Sequence, residues 1–458
     1  MSADNSLDRR HFLSRTLGRT VGGAASLAGL GSLALAPGAV QASDYRALVV
    51  LFLTGGNDGH NCLVPTDAAY GDYQRARSNL ALPRDSLVAL PGQSAGHSFG
   101  LHPALASLAP LYAQQRLAWI ANAGVLIKPV TAAEVRSNVA EIPPFLGSHS
   151  DQVLMTQGWT ADLDLSGWAG RGMELLPSAL RHPLSAVSLS NSRTLVQGRR
   201  TSPSYFSGGS PANWGSVNLN HLQRAEAQAL QRLAQGQSRN AYANEYLRTL
   251  QRALDDSILL TVADQRAVAP TQDFGSSWLG KTLHRLAGML PVFKAQGLRR
   301  QVFLVQWGGF DTHTNQRGSN EFTQDAQLAQ VAQAVGAFDA AMRAAGMDDN
   351  LVTLMSSEFG RTVRPGSGGG SEHGWGNHLF ALGGPVAGGQ VLGSLADFTL
   401  GGADDGDANA NGRQVPTTAM DQVGATLMQW LGLPSGAVHE AFPWLANFDR
   451  KTIALLHG

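Results

Sequence analysis

The chain has 458 residues, and its 34 lysines and arginines are balanced by 34 aspartates and glutamates, which removes any general electrostatic case for nucleic acid or an anionic membrane as partner. A hydrophobic content of 43% supplies a packed core and excludes global disorder. Cys62 is the single cysteine, so neither an internal disulfide nor a thiolate metal cluster can form within the chain.

The first forty-odd residues read as an address. Asp8-Arg9-Arg10-His11-Phe12-Leu13 resembles the twin-arginine export motif. A weakly apolar Gly/Ala/Leu stretch follows from Val21 to about Leu35, and Val40-Gln41-Ala42 offers small residues for cleavage. Residues 1–42 are therefore expected to be a twin-arginine signal peptide, with the export machinery as its partner. Residues 43–458 are expected to form a single domain in the periplasm or outside the cell. The alternative is a basic amphipathic start or an uncleaved anchor, although Ser26 and Ser32 interrupt a stretch only marginally long enough to span. No other segment reads as a span, so no integral membrane segment is expected after processing. A disulfide-free exported chain must hold by packing, with help from bound metal.

Residues 48–53 are an unbroken apolar run, predicted as a buried strand, and they end in Gly55-Gly56-Asn57-Asp58-Gly59-His60-Asn61. Leu101, Leu105, Leu108 and Leu111 or Tyr112 predict a helix over 101–115, and residues 117–120 predict a short strand. Gly147-Ser148-His149-Ser150 opens a helix to about Gln157. A short helix is expected over 168–176 and a strand over 185–189. Residues 201–215 read as a surface loop, and about 220–260 as strongly helical. A helix over 278–296 leads into the strand 302–305, and a long helix over 322–345 leads into the strand 351–355. Residues 401–412 form a low-complexity loop whose Asp407 to Gly412 mimic the start of a calcium loop. Thr418 stands where the bidentate glutamate belongs, so a solvated turn is the better reading. A helix over 416–432 closes the fold. The alternation predicts an α/β domain, with a largely parallel central sheet and helices on both faces.

Three of the strand-like runs end in acidic or histidine clusters. The first reaches Asp58, the second Asp311-Thr312-His313, and the third Glu358-Phe359-Gly360-Arg361. A glycine-rich loop then delivers Glu372-His373-Gly374-Trp375-Gly376-Asn377-His378. Ligands of open α/β sheets bind beyond the carboxyl ends of parallel strands, and oxygen and imidazole donors gathered there make a metal-centred site.

Gly-Gly-Asn-Asp-Gly after the first strand, Gly-Gly-Phe-Asp-Thr-His-Thr-Asn-Gln (308–316), Ser-Glu-Phe-Gly-Arg-Thr (357–362), His-Gly-Trp-Gly-Asn (373–377) and Val-Pro-Thr-Thr (415–418) occur in this order. Together they resemble the exported bacterial family known as domain of unknown function 1501, grouped with the alkaline phosphatase and sulfatase superfamily. The resemblance spans nearly the whole mature chain and implies an alkaline phosphatase/sulfatase-like fold. One departure is Glu372, where the family usually has Asp; the longer side chain still reaches a metal or a histidine, with altered geometry.

Carried over residue by residue, the resemblance implies divalent metal ions (Zn, Mn, Mg or Ca) held by Asp58, Asp311, His313, Glu358, His373 and His378. Each has a plainer alternative. Asp58 suits a turn, Asp311 and His313 suit a cap, Glu358 suits a structural pair with Arg361, and His378 suits the core. The superfamily nucleophile opens the helix after the second strand, a place Ser148 occupies here; Ser148 is equally a good N-cap, and a metal hydroxide is the substitute nucleophile. His149 stands as base, ligand or neither, and Arg361, ahead of Arg364, as a fork for a substrate anion. Asn57, Asn61 and Asn377 are candidates for orienting ligands. The glycine loop 366–370 lacks the Lys-Ser/Thr ending of a nucleotide loop. The resemblance thus implies a metal-dependent hydrolase of anionic small-molecule or glycan esters of phosphate or sulfate. The alternative is a catalytically degenerate exported binding or envelope assembly protein.

Overall fold

The computed structural model describes residues 44–457 apart from 163, 206–212 and 215–216; the expected export segment lies outside the described residues. The centre is a nine-stranded sheet. Its strands are β1 (Arg46–Leu53), β2 (Leu117–Gly124), β3 (Ala186–Ser188), β4 (Ser204–Tyr205), β5 (Arg300–Trp307), β6 (Leu351–Ser357), β7 (Asn377–Leu382), β8 (Val391–Gly393) and β9 (Thr418–Ala419). The spatial order is β8-β2-β7-β6-β1-β5-β3-β4, with β9 also paired to β2.

Pairing is parallel from β6 through β1, β5 and β3 to β4, and β8 and β9 run parallel to β2. Only β7 runs antiparallel to its neighbours, β6 and β2. The expected largely parallel α/β sheet is therefore present, with one reversed strand whose direction the sequence did not announce.

The unbroken apolar runs follow from burial of both faces. Along β1, Leu48, Val50 and Phe52 enter one apolar cluster with Val302, Leu304, Val352 and Leu354. Val49, Leu51 and Leu53 enter the other, with Phe303, Val305 and Met355. Successive side chains of a strand point to opposite faces, so one run feeds two cores. The helices Trp278–Ala295 and Gln324–Ala344 cover one face through Leu283, Leu290, Val331 and Phe338. The helices Trp168–Glu174 and Met420–Trp430 cover the other through Trp168, Val423 and Leu427.

Two expectations change. The helix predicted over 101–115 is a 3-10 turn, Pro103–Leu108, followed by the short helix Ala109–Ala113. Proline at the start of each piece withholds a backbone donor and breaks continuity. The region from 220 to 260 divides into Ala225–Ala234 and Ala241–Arg266.

Register places the site. Leu53 lies level with Trp307 on one side and Ser357 on the other, so β1, β5 and β6 stop together. Their following loops leave the sheet at one edge, and the hairpin Arg361–Pro365 with Ser371–His373 returns over that edge.

Candidate metal centre

Asp311 and His313 stand on the loop after β5, His373 ends the second hairpin strand, and His149 begins the helix His149–Gly158. The imidazoles converge on the Asp311 carboxylate. His313 Nε2 lies 3.0 Å and His373 Nε2 3.2 Å from Asp311 Oδ1, and His149 Nε2 lies 3.3 Å from Oδ2. One ligand atom each from His149, Asp311 and His373 lie within 4.8 Å of one another, a spacing that suits a single shared cation.

The loops reach this geometry because glycine lets them touch. Gly55 has φ +112°, and a β-carbon there would stand 2.4 Å from the Asp311 backbone nitrogen. Gly56 has φ +73°, and a β-carbon would strike the Phe359 ring at 2.2 Å. That ring packs beneath the site, its centroid 5.0 Å from that of His149 and 4.7 Å from that of His373.

Each histidine is also held from behind. His149 Nδ1 lies 2.9 Å from Glu358 Oε1, His313 Nδ1 lies 2.7 Å from Glu372 Oε2, and His373 Nδ1 lies 2.7 Å from the Gly147 carbonyl. Glu358, expected as a ligand, instead stands behind His149. It is buried and accepts from the Gly55 N–H at 2.7 Å and the Ser357 hydroxyl at 3.1 Å. A carboxylate with those partners orients a ligand. Glu372 does the same for His313, the second of the uses expected for the longer side chain.

Arg361 is likewise placed away from a substrate role. Its buried guanidinium donates to the carbonyls of Gly56 (2.7 Å), Ser371 (2.8 Å), Phe310 (3.0 Å) and Gly55, and to Asp311 Oδ1 (2.6 Å). Burial works to raise the Asp311 pKa, but the hydrogen bond and charge of Arg361, with the imidazoles of His373 and His313 alongside, outweigh it and bring the carboxyl down to about 2. Burial is also the main cause that lowers the His373 imidazole from its ordinary value, which favours the neutral, ligating form. Arg364 faces Asn409 and Asn411 on the surface, and the glycine loop after it is the hairpin turn.

Asp58 is not among the converging groups. Its carboxylate pairs with the buried Arg77, accepts from Gln316 Nε2 at 2.6 Å, and caps the short helix Gly59–Cys62 through the His60 N–H. Burial would raise its pKa, but Arg77, His60 and Gln316 hold it below the ordinary value. His378 is buried on β7, where Nδ1 accepts from the Asn122 N–H at 3.1 Å and the ring meets His60 edge-on at 5.6 Å. That is the core alternative, and it turns His378 from the cation site. Asn57, Asn61 and Asn377 are buried and bonded within the fold. Cys62 is buried, and desolvation pushes its thiol up to about 12.

Ser148 is the N-cap of the helix His149–Gly158, with extended backbone and its hydroxyl against the Asp151 carboxylate. Its neighbour His149 therefore projects from the first turn onto Asp311. The acidic loop at 401–412 is a backbone clip. Asp405 accepts from the N–H groups of Gly401, Asp407, Gly412 and Arg413, in keeping with a turn rather than a calcium loop. Gln316, Arg77, Glu372 and the Gly147 carbonyl complete the supporting network. Glu372 stood out in the sequence as a departure from the family pattern, Gln316 and Gly147 fell within quoted motifs without an assigned role, and Arg77 carried no signal.

The family described as "Protein of unknown function (DUF1501)" matches residues 45–428. The chain belongs to this family. No curated protein matches it. Among solved structures, this DUF1501 member is similar to the lipoteichoic acid synthase LtaP from Listeria monocytogenes, with 9% identity, TM-score 0.31, and coverage of 86% of this chain and 74% of that one. It is also similar to Ps i-CgsB in complex with k-i-k-neocarrahexaose, with 11% identity, TM-score 0.36, and coverage of 89% and 77%. A third is the phosphonate monoester hydrolase SpPMH from Silicibacter pomeroyi, with 9% identity, TM-score 0.31, and coverage of 85% and 73%.

Proposed function

We propose that this DUF1501 protein is an exported, metal-dependent hydrolase of phosphate or sulfate esters. The observation that carries the reading is the convergence of His149, His313 and His373 on Asp311 at the carboxyl edge of the sheet. The residues fit a cation, because the buried His149 Nε2 has no hydrogen-bond partner and faces the Asp311 carboxylate. A bound divalent ion supplies Lewis acidity toward the ester oxyanion and lowers the pKa of an attacking water.

The chain's own residues supply the rest. Arg361 fixes the Asp311 carboxylate, and Phe359 keeps one wall of the site dry. The Ser148 hydroxyl faces Asp151, so a serine attack passes its proton to Asp151 Oδ2 as the new ester bond forms, and that proton goes on to the leaving oxygen, which departs as the alcohol; water then cleaves the serine ester, one of its protons restoring the Ser148 hydroxyl and the other leaving with the released anion. The substrate class is an anionic small molecule or glycan ester. Export by the twin-arginine route to the periplasm or beyond belongs to the same reading, and Arg9→Lys with Arg10→Lys is expected to retain the protein inside the cell.

A second reading has its own support. Ser148 is engaged as a cap and Arg361 is fully consumed, which suits a cation-binding module without its own nucleophile. Turnover of aryl phosphate and aryl sulfate, before and after chelation and metal return, separates the two. The hydrolase reading expects chelator-sensitive turnover that His373→Ala abolishes in folded protein. Absence of turnover in fully metal-loaded protein supports the binding module.

A further inference from the structure

We propose that the centre selects one zinc-class cation over magnesium and calcium, through Nε2 of His149 and His373 and a carboxylate oxygen of Asp311, which lie within mutual reach of one ion, with Nε2 of His313 beside Asp311 and His373 as the fourth donor. It rests on the reading of this cluster as a cation site, but not on any reaction there.

The first argument concerns where the imidazole protons sit. A backbone carbonyl can only accept, and so can an ionised carboxylate. Gly147 O, Glu358 Oε1 and Glu372 Oε2 each face the Nδ1 of one histidine, at 2.7, 2.9 and 2.7 Å. A ring whose proton sits on Nδ1, toward these oxygens, presents a bare lone pair at Nε2.

The second argument is the consequence. His313 Nε2 and His373 Nε2 stand 3.0 Å apart, and both point at Asp311 Oδ1. His149 Nε2 is buried without a hydrogen-bond partner, 3.3 Å from Oδ2. These are acceptors facing acceptors. Arg361 donates to one oxygen of the set, and with the ring protons on Nδ1 the contacts of His313 Nε2 and His373 Nε2 with each other and with Asp311 lack a donor. A cation between them removes the repulsion and uses every lone pair.

The third argument is ligand chemistry. Calcium takes six to eight oxygens, and magnesium keeps an octahedron of oxygens. This centre offers imidazoles and a single carboxylate, the donor set of zinc and its neighbours. The other acidic groups nearby are committed: Glu358 to Gly55 and Ser357, Asp58 to Arg77. A second ion would find no comparable ligand set among the described residues.

The test uses the whole chain stripped with chelator and reads binding alone. Dialysis with zinc, magnesium and calcium in competition, followed by elemental analysis, is expected to give one zinc per chain and at least a 100-fold preference. Cobalt(II) loading is expected to give the visible spectrum of a four-coordinate site, altered in His313→Ala and His149→Ala. Glu372→Gln, at a half-exposed position, is expected to weaken zinc by about 10- to 100-fold without unfolding the protein, with Glu372→Asp intermediate. Preference for calcium or magnesium overturns the proposal. So does binding of two ions at the cluster. Zinc bound without ester turnover counts against the hydrolase reading alone, whereas calcium-dependent turnover counts against this one alone.

Discussion

Asp58 and Arg77 form an ion pair with no exposed side-chain surface, and Arg77 also donates to the carbonyls of Thr362 and Val363. Breaking a buried pair from one side leaves a desolvated charge, at a cost of about 3–5 kcal/mol. Asp58→Asn is therefore expected to lower the free energy of unfolding by that amount while the folded fraction keeps its metal stoichiometry. Loss of metal with unchanged stability would return Asp58 to the ligand set. Ser148→Ala is expected to cost about 1 kcal/mol through the lost cap. Chemical denaturation beside ester turnover measures both consequences: a serine nucleophile predicts abolished turnover, and attack by water predicts retained turnover. At this scale the sequence was informative about which residues cluster and poor at which atoms meet. An Asn-Asp-Gly after a strand looks the same whether its carboxylate faces a cation or an arginine nineteen positions away on the helix Tyr70–Arg77. The Ser148-His149 pair was legible as a helix start, but only the cap geometry shows that His149 takes the inner position.

Between elements, the short helix Gly59–Cys62 meets β7 through the edge contact of His60 with His378. Burial is the largest cause in both, lowering His60 to about 4 and His378 to about 3, with the neighbouring charge of Asp58 opposing it in each case. An unfolded histidine titrates near 6.5. Between that value and the folded ones, the unfolded chain binds more protons, so stability rises with pH. The contribution of these two histidines is accordingly expected to be flat above about pH 7 and to fall as pH drops below 6.5, His60 alone forfeiting about 3 kcal/mol by pH 4. Asp421 and Asp256, raised by burial to about 7 and about 6, act in the opposite sense over the same window. The difference in unfolding free energy between the parent and His378→Gln, followed from pH 7.5 to 4.5, isolates the histidine contribution and is expected to shrink as pH falls. The same contact explains a limit of sequence reading. Buried parallel strands announce themselves as apolar runs, and β1, β5 and β6 were found that way. β7 begins Asn377-His378, polar residues that only a buried pairing to β2 accommodates. The helix over 101–115 failed for a local reason, since Pro103 and Pro110 outweigh a correct apolar period.

Across the molecule, one sheet with a core on each face brings distant motifs to a single edge, because β1, β5 and β6 end in register. That much was readable: strand and helix alternation gave the α/β layout, and the motif order gave the edge. The supporting network was not readable, since Arg361 binds carbonyls of loops some 300 positions away in sequence, and carbonyls leave no mark on a sequence. A cation at this edge joins the loop after β5, the helix His149–Gly158 and the hairpin strand Ser371–His373. Binding only the folded state stabilises by RT ln(1 + [L]/Kd), about 2.7 kcal/mol at a hundredfold excess over Kd. Chelation is therefore expected to lower the melting temperature and to speed proteolysis between 313 and 321. A melting curve indifferent to chelator in metal-loaded protein would separate the edge from the stability of the whole.

Cys62 sits at 0% exposure, in contact with Asn57 and with the Asp58 carbonyl, close behind the carboxyl edge of the sheet. As the sole sulfhydryl, it makes the protein its own clock. An aromatic disulfide reagent can colour the solution only during excursions that expose the interior, so the rate of colour development counts those excursions directly. With no internal disulfide to break, reductant can be used to prepare the protein and then removed before the count, leaving the chain's covalent framework unchanged.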